Sequence, residues 1–178
     1  MSTLTVKELS HPAGEVIKIA TGKTLDLKSQ GTTTLPTGSV LQVVSATIGI
    51  ATTTTSTSYV NTPLTASITP TSTSSNILIT ATTPTYTGSN GTYAARYTIF
   101  RGTVSGVNLG HPHFGFCNLY NNAGNAMQLA TTMSVLDSPN TTSSQTYTVA
   151  MYSEGNSALA AVMSSGTKAT ITLMEVSV

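Results

Sequence analysis

From Val40 to the last residue the chain is a succession of short runs in which apolar side chains recur at alternate positions. Each run is stopped by a cluster of Ser, Thr, Gly, Pro or Asn. A period of two belongs to a strand with one buried face, because successive side chains of a pleated backbone point to opposite sides. The runs are Val40 to Ile50, Tyr59 to Ile68, Ile77 to Tyr86, Tyr93 to Arg101, Met127 to Leu136, Tyr147 to Tyr152, Leu159 to Met163 and Lys168 to Val178. In the fourth, Tyr93, Ala95, Tyr97 and Ile99 share a face; in the fifth, Met127, Leu129, Met133 and Val135 do. A break of register at Val43 and Val44 predicts a bulge, and Asn90-Gly91 suits a tight hairpin turn. Eight such strands predict an all-β protein: an antiparallel β-sandwich of jelly-roll type over residues 39–178, with a closed barrel as the other arrangement of the same pattern.

Composition points the same way. The chain holds 36 Thr and 22 Ser among 178 residues, while Asp, Glu, Lys and Arg make up 7%. Thr is β-branched and packs well on a pleated surface, whereas the long charged side chains that cover exposed helices are nearly absent. A formal charge of +1 gives no electrostatic footprint for nucleic acid or an anionic membrane, so neither is expected as a partner. No run approaches the roughly 20 apolar residues of a membrane helix. Lys7, Glu8, Glu15 and Lys18 interrupt any signal-peptide core at the N-terminus, so the sequons at Asn90 and Asn140 carry little weight. The single Cys117 cannot form an intrachain disulfide, which suits folding in a reducing cytoplasm.

Seven of the thirteen charged side chains lie in the first 28 residues, and this marks residues 1–38 as a separate arm and connector. Within it, "EVIKIATGKTLDLKS" reads as a strand, a turn at Thr21-Gly22-Lys23, and a second strand. That piece is too small to bury its own apolar face and needs a partner surface.

Two Ser/Thr-rich stretches resemble linkers in composition but run directly into strands: Pro70 to Asn76, and Pro139 to Gln145. Pro ends the strand before it, and hydroxyls bond nearby backbone amides, so both are predicted to be corners of a sandwich.

"GSVLQVVSA", "TSTSYVNTPLTASITPTSTSSNILIT", "SVLDSPNTTSSQTYTVAMY" and "KATITLMEVSV" resemble a β-sandwich domain of tail-fibre-like and other small virion proteins of tailed bacteriophages, especially marine and cyanobacterial ones, and the resemblance spans roughly residues 39–178. The opening "MSTLTVKEL" is similar to the start of such proteins. The resemblance implies a structural protein of the virion, assembled in the bacterial cytoplasm and commonly a homotrimer, with the arm docked to other virion proteins. Its role is then host attachment as a fibre, or capsid decoration that reinforces the head.

No catalytic role is expected, since after the arm only Asp137, Glu154 and Glu175 remain as carboxylates, at unrelated spacings, and acid–base chemistry needs such groups placed together. No cofactor is implied. The segment 106–125, "GVNLGHPHFGFCNLYNNAGN", has poor strand periodicity and is unmatched by the resemblance. It concentrates Phe114, Phe116 and Tyr120, which suit a receptor contact, stacking on the faces of a host surface glycan. Alternatively Phe114 and Phe116, two apart, point to one side and cap the core. His111 and His113 are candidate metal ligands: on a strand they face one way, and the resemblance implies that three chains around an axis would present six imidazoles to one ion. Arg96 and Arg101 fall on opposite faces of one strand, with Asp137, Glu154 and Glu175 as candidate partners. Glu175 falls on an apolar face and needs a partner or an edge, which suggests a subunit boundary.

Overall fold

The computed structural model describes residues 21–22, 35–88, 93–121, 125–154, 160–162 and 167–178. The chain divides into two compact units, Met1–Leu35 and Pro36–Val178. In the first, Thr21 and Gly22 form a turn, Gly22 with φ +76°. The rest of the expected strand-turn-strand, like the Asn90-Gly91 turn, lies outside the described residues.

The second unit is two antiparallel sheets packed face to face, with no helix among the described residues. In the six-stranded sheet, β4 (Asn76–Thr87) is central, with β8 (Met127–Asp137) along one whole side. Its other side is shared by β11 (Ala169–Val176), which pairs residues 76–82, and β10 (Ala160–Val162), which pairs residues 85–87. Pro84, which has no N–H to donate, stands in the gap between those two ladders. β1 (Val40–Ile48) adds to β11, and β2 (Thr52–Thr54) to β10. In the five-stranded sheet, β9 (Gln145–Glu154) lies between β3 (Val60–Ile68) and β5 (Tyr93–Arg101). The far side of β5 takes β7 (Cys117–Asn121) and, at its end, β6 (Val107–Asn108).

Each of the eight predicted runs contains a strand, with Leu159 and Met163 of the seventh outside the described residues. Three corrections follow from the pairing. The irregularity of β1 lies between Val40 and Gln42, not at Val43. β4 and β5, the described strands on either side of Asn90-Gly91, belong to different sheets and do not pair with each other. Segment 106–125 contains two strands, of which β7 extends the five-stranded sheet.

Tyr97, Ile99, Tyr147, Val149 and Met151 of one sheet meet Ile77, Ile79, Ala81, Ile171 and Leu173 of the other in a single core. Two polar links cross it. The Tyr97 hydroxyl lies 2.7 Å from the Tyr86 carbonyl and 2.8 Å from that of Ala161. Tyr147 donates to Asp137 at 2.8 Å, and Arg101 reaches the same carboxylate at 3.2 Å.

Both Ser/Thr-rich corners cross from one sheet to the other: residues 69–75 join β3 to β4, and residues 138–144 join β8 to β9. The first is held by Glu175, which is fully buried. Its carboxylate accepts hydrogen bonds from the Thr71 amide and hydroxyl, both 2.7 Å, and from Gln42 Nε2 at 2.6 Å. Gln42 also donates to the Thr69 carbonyl at 2.7 Å. The partners that Glu175 needs come from its own chain, so its burial by itself calls for no subunit boundary.

Burial pushes the Glu175 carboxyl up, but the hydrogen bonds from Gln42, Ser75 and Thr71 outweigh it and hold the group below its ordinary value. A carboxyl that is more acidic when folded contributes stability above its unfolded pKa of about 4.3, and this is lost as pH falls through the folded value. Glu175→Gln, which sets an amide N–H against donors, is expected to cost about 1–3 kcal/mol at neutral pH. Urea titrations between neutral pH and pH about 3 should show this difference shrinking as the wild-type carboxylate protonates.

Candidate functional site

Cross-strand register assembles the site. Arg96 of β5 pairs with Tyr152 of β9, and Ala94 with Glu154, so Arg96, Tyr152 and Glu154 emerge together on the face of the five-stranded sheet turned away from the core. Such a face is ordinarily solvated. Here the chain between β5 and β7 folds back over it, and the strand pattern of β9 is buried on both sides from Tyr147 to Ser153.

Short backbone contacts fix that excursion. Leu109 and Phe116 donate to the Ile99 and Tyr97 carbonyls at 2.9 and 2.8 Å. Between them His111 and Gly115 bond each other and close a turn over residues 112–114. Asn108 Oδ1 accepts from Thr98 Oγ1 at 2.6 Å and from the Gly110 amide at 3.0 Å. Gly115 has φ +64°, and a Cβ there would stand 2.2 Å from the Tyr97 carbonyl oxygen. This position combines a left-handed backbone with close approach to β5, so only glycine fits.

Arg96 organises the tip. Only 4% of the residue is exposed. It donates to Glu154, to Tyr152 Oη and to Asn118 Oδ1, and contacts His113 Nε2. Its guanidinium lies 4.6 Å from the Phe114 ring centroid and 5.3 Å from that of Tyr152. A buried cation is tolerated where it is paired and stacked in this way. Tyr152 Oη donates to the His113 carbonyl at 2.8 Å, and Tyr59 stands edge-on to Tyr152 with centroids 4.6 Å apart. Burial raises the pKa of Tyr152, with Arg96 opposing. Burial and then Tyr152 raise that of Tyr59, so both phenols stay protonated at neutral pH.

Beside this cluster opens a cleft of about 390 Å³, lined by Thr57, Ser58, Tyr59, Pro112, His113, Tyr152 and Glu154. The Ser153 amide donates to the Ser56 carbonyl at 2.8 Å, which fixes the Thr57–Tyr59 wall against β9.

The predicted site residues are not gathered into one constellation. Phe114 and Phe116 are 47% and 36% exposed, so neither caps the core. Gly115 at positive φ breaks the strand parity on which that reading relied. Phe114 covers Arg96, with the rings of His111 and His113 at 5.1 and 4.8 Å on either side. Tyr120 stands on β7 opposite Ala94 and is 59% exposed.

His111 and His113 lie in the turn and not on a strand. His111 Nδ1 accepts from the His113 and Phe114 amides at 3.1 and 3.0 Å, and His113 is engaged with Arg96, Tyr152 and, at 3.5 Å, Glu154. Among the described residues no three His, Cys, Asp or Glu side chains are grouped to hold a metal ion. The Cys117 thiol is pushed up in pKa by burial, with Thr131 opposing, and is not a reactive thiolate.

Sequence reasoning paired Arg96 with three possible acids. The structure selects Glu154 for it and Asp137 for Arg101. Tyr59, Tyr152 and Glu154 were missed as site residues. The only local signal was the spacing of Tyr152 and Glu154, which puts both on one face of β9.

No protein-family model matches this chain, and no curated protein shows significant similarity to it.

Gly115→Ala is expected to lower stability by at least about 1–2 kcal/mol from the backbone conformation alone, with the clash adding to it. Thermal denaturation measures the loss, and limited proteolysis should show new cleavage within residues 110–116.

Proposed function

We propose that this protein is a non-enzymatic structural component of a tailed-bacteriophage particle. In this reading it is a homotrimer attached through residues 1–38, with a jelly-roll sandwich projecting outward for host attachment. The strand order supports the jelly-roll assignment. With the eight principal strands numbered along the chain, the sheets run first-eighth-third-sixth (β1-β11-β4-β8) and second-seventh-fourth-fifth (β3-β9-β5-β7). That order is the one expected of two Greek keys wound together, which supports the reading. The segments that carry the sequence resemblance fall on β1, β3 with its crossing into β4, the crossing from β8 into β9, and β11.

The observation that carries the reading is the outer face of the six-stranded sheet. Register places twelve side chains there in three rows across β1, β11, β4 and β8. One row is Val43, Met174, Leu78 and Leu136; the second is Ser45, Thr172, Thr80 and Ser134; the third is Thr47, Thr170, Thr82 and Thr132. Neighbours in the hydroxyl rows bond in pairs: Ser45 to Thr172 at 3.2 Å, Thr80 to Ser134 at 3.3 Å, Thr47 to Thr170 at 3.1 Å and Thr82 to Thr132 at 3.0 Å. Val43 and Leu136 are 56% and 55% exposed, and none of the twelve is ionisable. An uncharged face with hydroxyls already paired loses little on desolvation, which suits contact with another copy or another virion subunit.

Light scattering of purified protein should return the mass of three chains, and Thr80→Glu, a charge at the centre of the face, should release folded monomers. A wild-type monomer would remove the trimer from the proposal. Electron microscopy of phage particles with labelled protein decides its place: label at the tail supports attachment, and label on the head replaces attachment with capsid decoration.

A further inference from the structure

We infer that the cleft between Tyr59 and Glu154 is a saccharide site that takes an uncharged hexose unit of a surface polysaccharide. The inference rests on the attachment role proposed above and names its ligand class. The chemistry of the walls eliminates the other classes. Among the described residues the arginine behind the cleft, Arg96, is 4% exposed and already commits its donors to Glu154, Tyr152 and Asn118. An anionic ligand would therefore meet the Glu154 carboxylate with no free arginine or lysine among the described lining residues to offset it. A purely apolar ligand would strip water from Glu154, His113, Ser58 and Thr57 with no hydrogen bonds in return.

A neutral sugar satisfies both kinds of wall. Glu154 is 47% exposed on its side chain and is tied to Arg96 through Oε2. Among the described residues its Oε1 faces His113 alone, at 3.5 Å, which leaves acceptor capacity for a sugar hydroxyl. Ion pairing to a buried arginine holds that acceptor in place at low entropic cost. Tyr59 is propped edge-on by Tyr152 and Phe100, with centroids at 4.6 and 5.8 Å. A ring held in that way offers a rigid surface to the C–H face of a hexose. Ser58 and Thr57 add hydroxyls at the rim. The volume of about 390 Å³ lies at the small end of ligand sites, which suits one or two sugar units.

The test titrates the full-length protein with gluco-, galacto- and manno-oligosaccharides, and in parallel with uronic-acid oligosaccharides, followed by saturation-transfer NMR. A neutral oligosaccharide is expected to bind with a Kd on the order of 1 mM per site. Ser58→Trp, which fills the mouth from an exposed position, should abolish binding with an unchanged melting temperature. Tyr59→Phe should keep binding within about twofold, and Tyr59→Ala should weaken it by about tenfold. Absence of saturable binding by every neutral sugar, binding of uronic acids only, or undiminished binding by Ser58→Trp would each overturn the site. Particle location by microscopy is independent of the cleft, so a virion protein whose cleft binds no sugar refutes this inference alone.

Discussion

One buried carboxylate sets the condition for the rest of the sandwich. β3 and β4 are adjacent in sequence but lie in different sheets, so the chain must cross the end of the core within the few residues after Ile68. A crossing exposes backbone amides that neither sheet can pair, and burying them unsatisfied would cost about as much as any single core side chain contributes. Glu175 answers this from the inner face of β11, accepting the Thr71 amide and hydroxyl while Gln42 bridges it to the Thr69 carbonyl. The register of β1, β11 and β4 is thus tied to the path of the corner. Placing Glu175 one residue out of step would turn its carboxylate to solvent and every inward residue of β11 with it.

The scarcity of charge has a structural counterpart. From Pro36 onward the sequence holds six such side chains: Arg96, Arg101, Asp137, Glu154, Lys168 and Glu175. None of the three acids is idle, since Asp137 joins Arg101 and Tyr147 across the core, Glu154 holds Arg96, and Glu175 holds a corner. Polar pairing elsewhere is left to hydroxyls, as in the Ser67–Thr146 pair at 2.7 Å and the Thr85–Thr131 pair at 2.8 Å. A Thr on a strand offers a methyl to its lateral neighbours and a hydroxyl to the residue opposite, so one residue type serves both packing and hydrogen bonding.

Most of the architecture was legible because the core strands obey a period of two: Ile77, Ile79 and Ala81, or Ile171 and Leu173, announce a buried face by alternation alone. The two corners were legible because Pro followed by Ser and Thr has a local reason to turn. What alternation does not contain is pairing. Asn90-Gly91 suggested a hairpin because a turn signal is local, whereas the sheet to which the next strand adds is decided by the whole core. β7 was hidden because its residues Cys117 to Asn121 mix one buried apolar side chain, Leu119, with polar and exposed neighbours at an edge. The candidate site was least legible of all. Tyr59, Arg96, His113 and Glu154 are far apart in the chain, and only the β5–β9 register and the fold-back at Gly115 bring them together.

The two outward faces of the sandwich are therefore unequal for a physical reason. On the five-stranded sheet, a buried Arg96 required cover, and the turn at residues 111–115 supplies it; the same turn contributes Pro112 and His113 to the wall of the cleft. On the six-stranded sheet the outward hydroxyls across the four long strands pair with each other in register, so that face needs no excursion of the chain to satisfy it. A cleft with directional groups discriminates among small ligands by shape and hydrogen bonding. A broad uncharged face discriminates poorly among small ligands and gains chiefly from area. With these surfaces on opposite sheets, occupation of one does not obstruct the other.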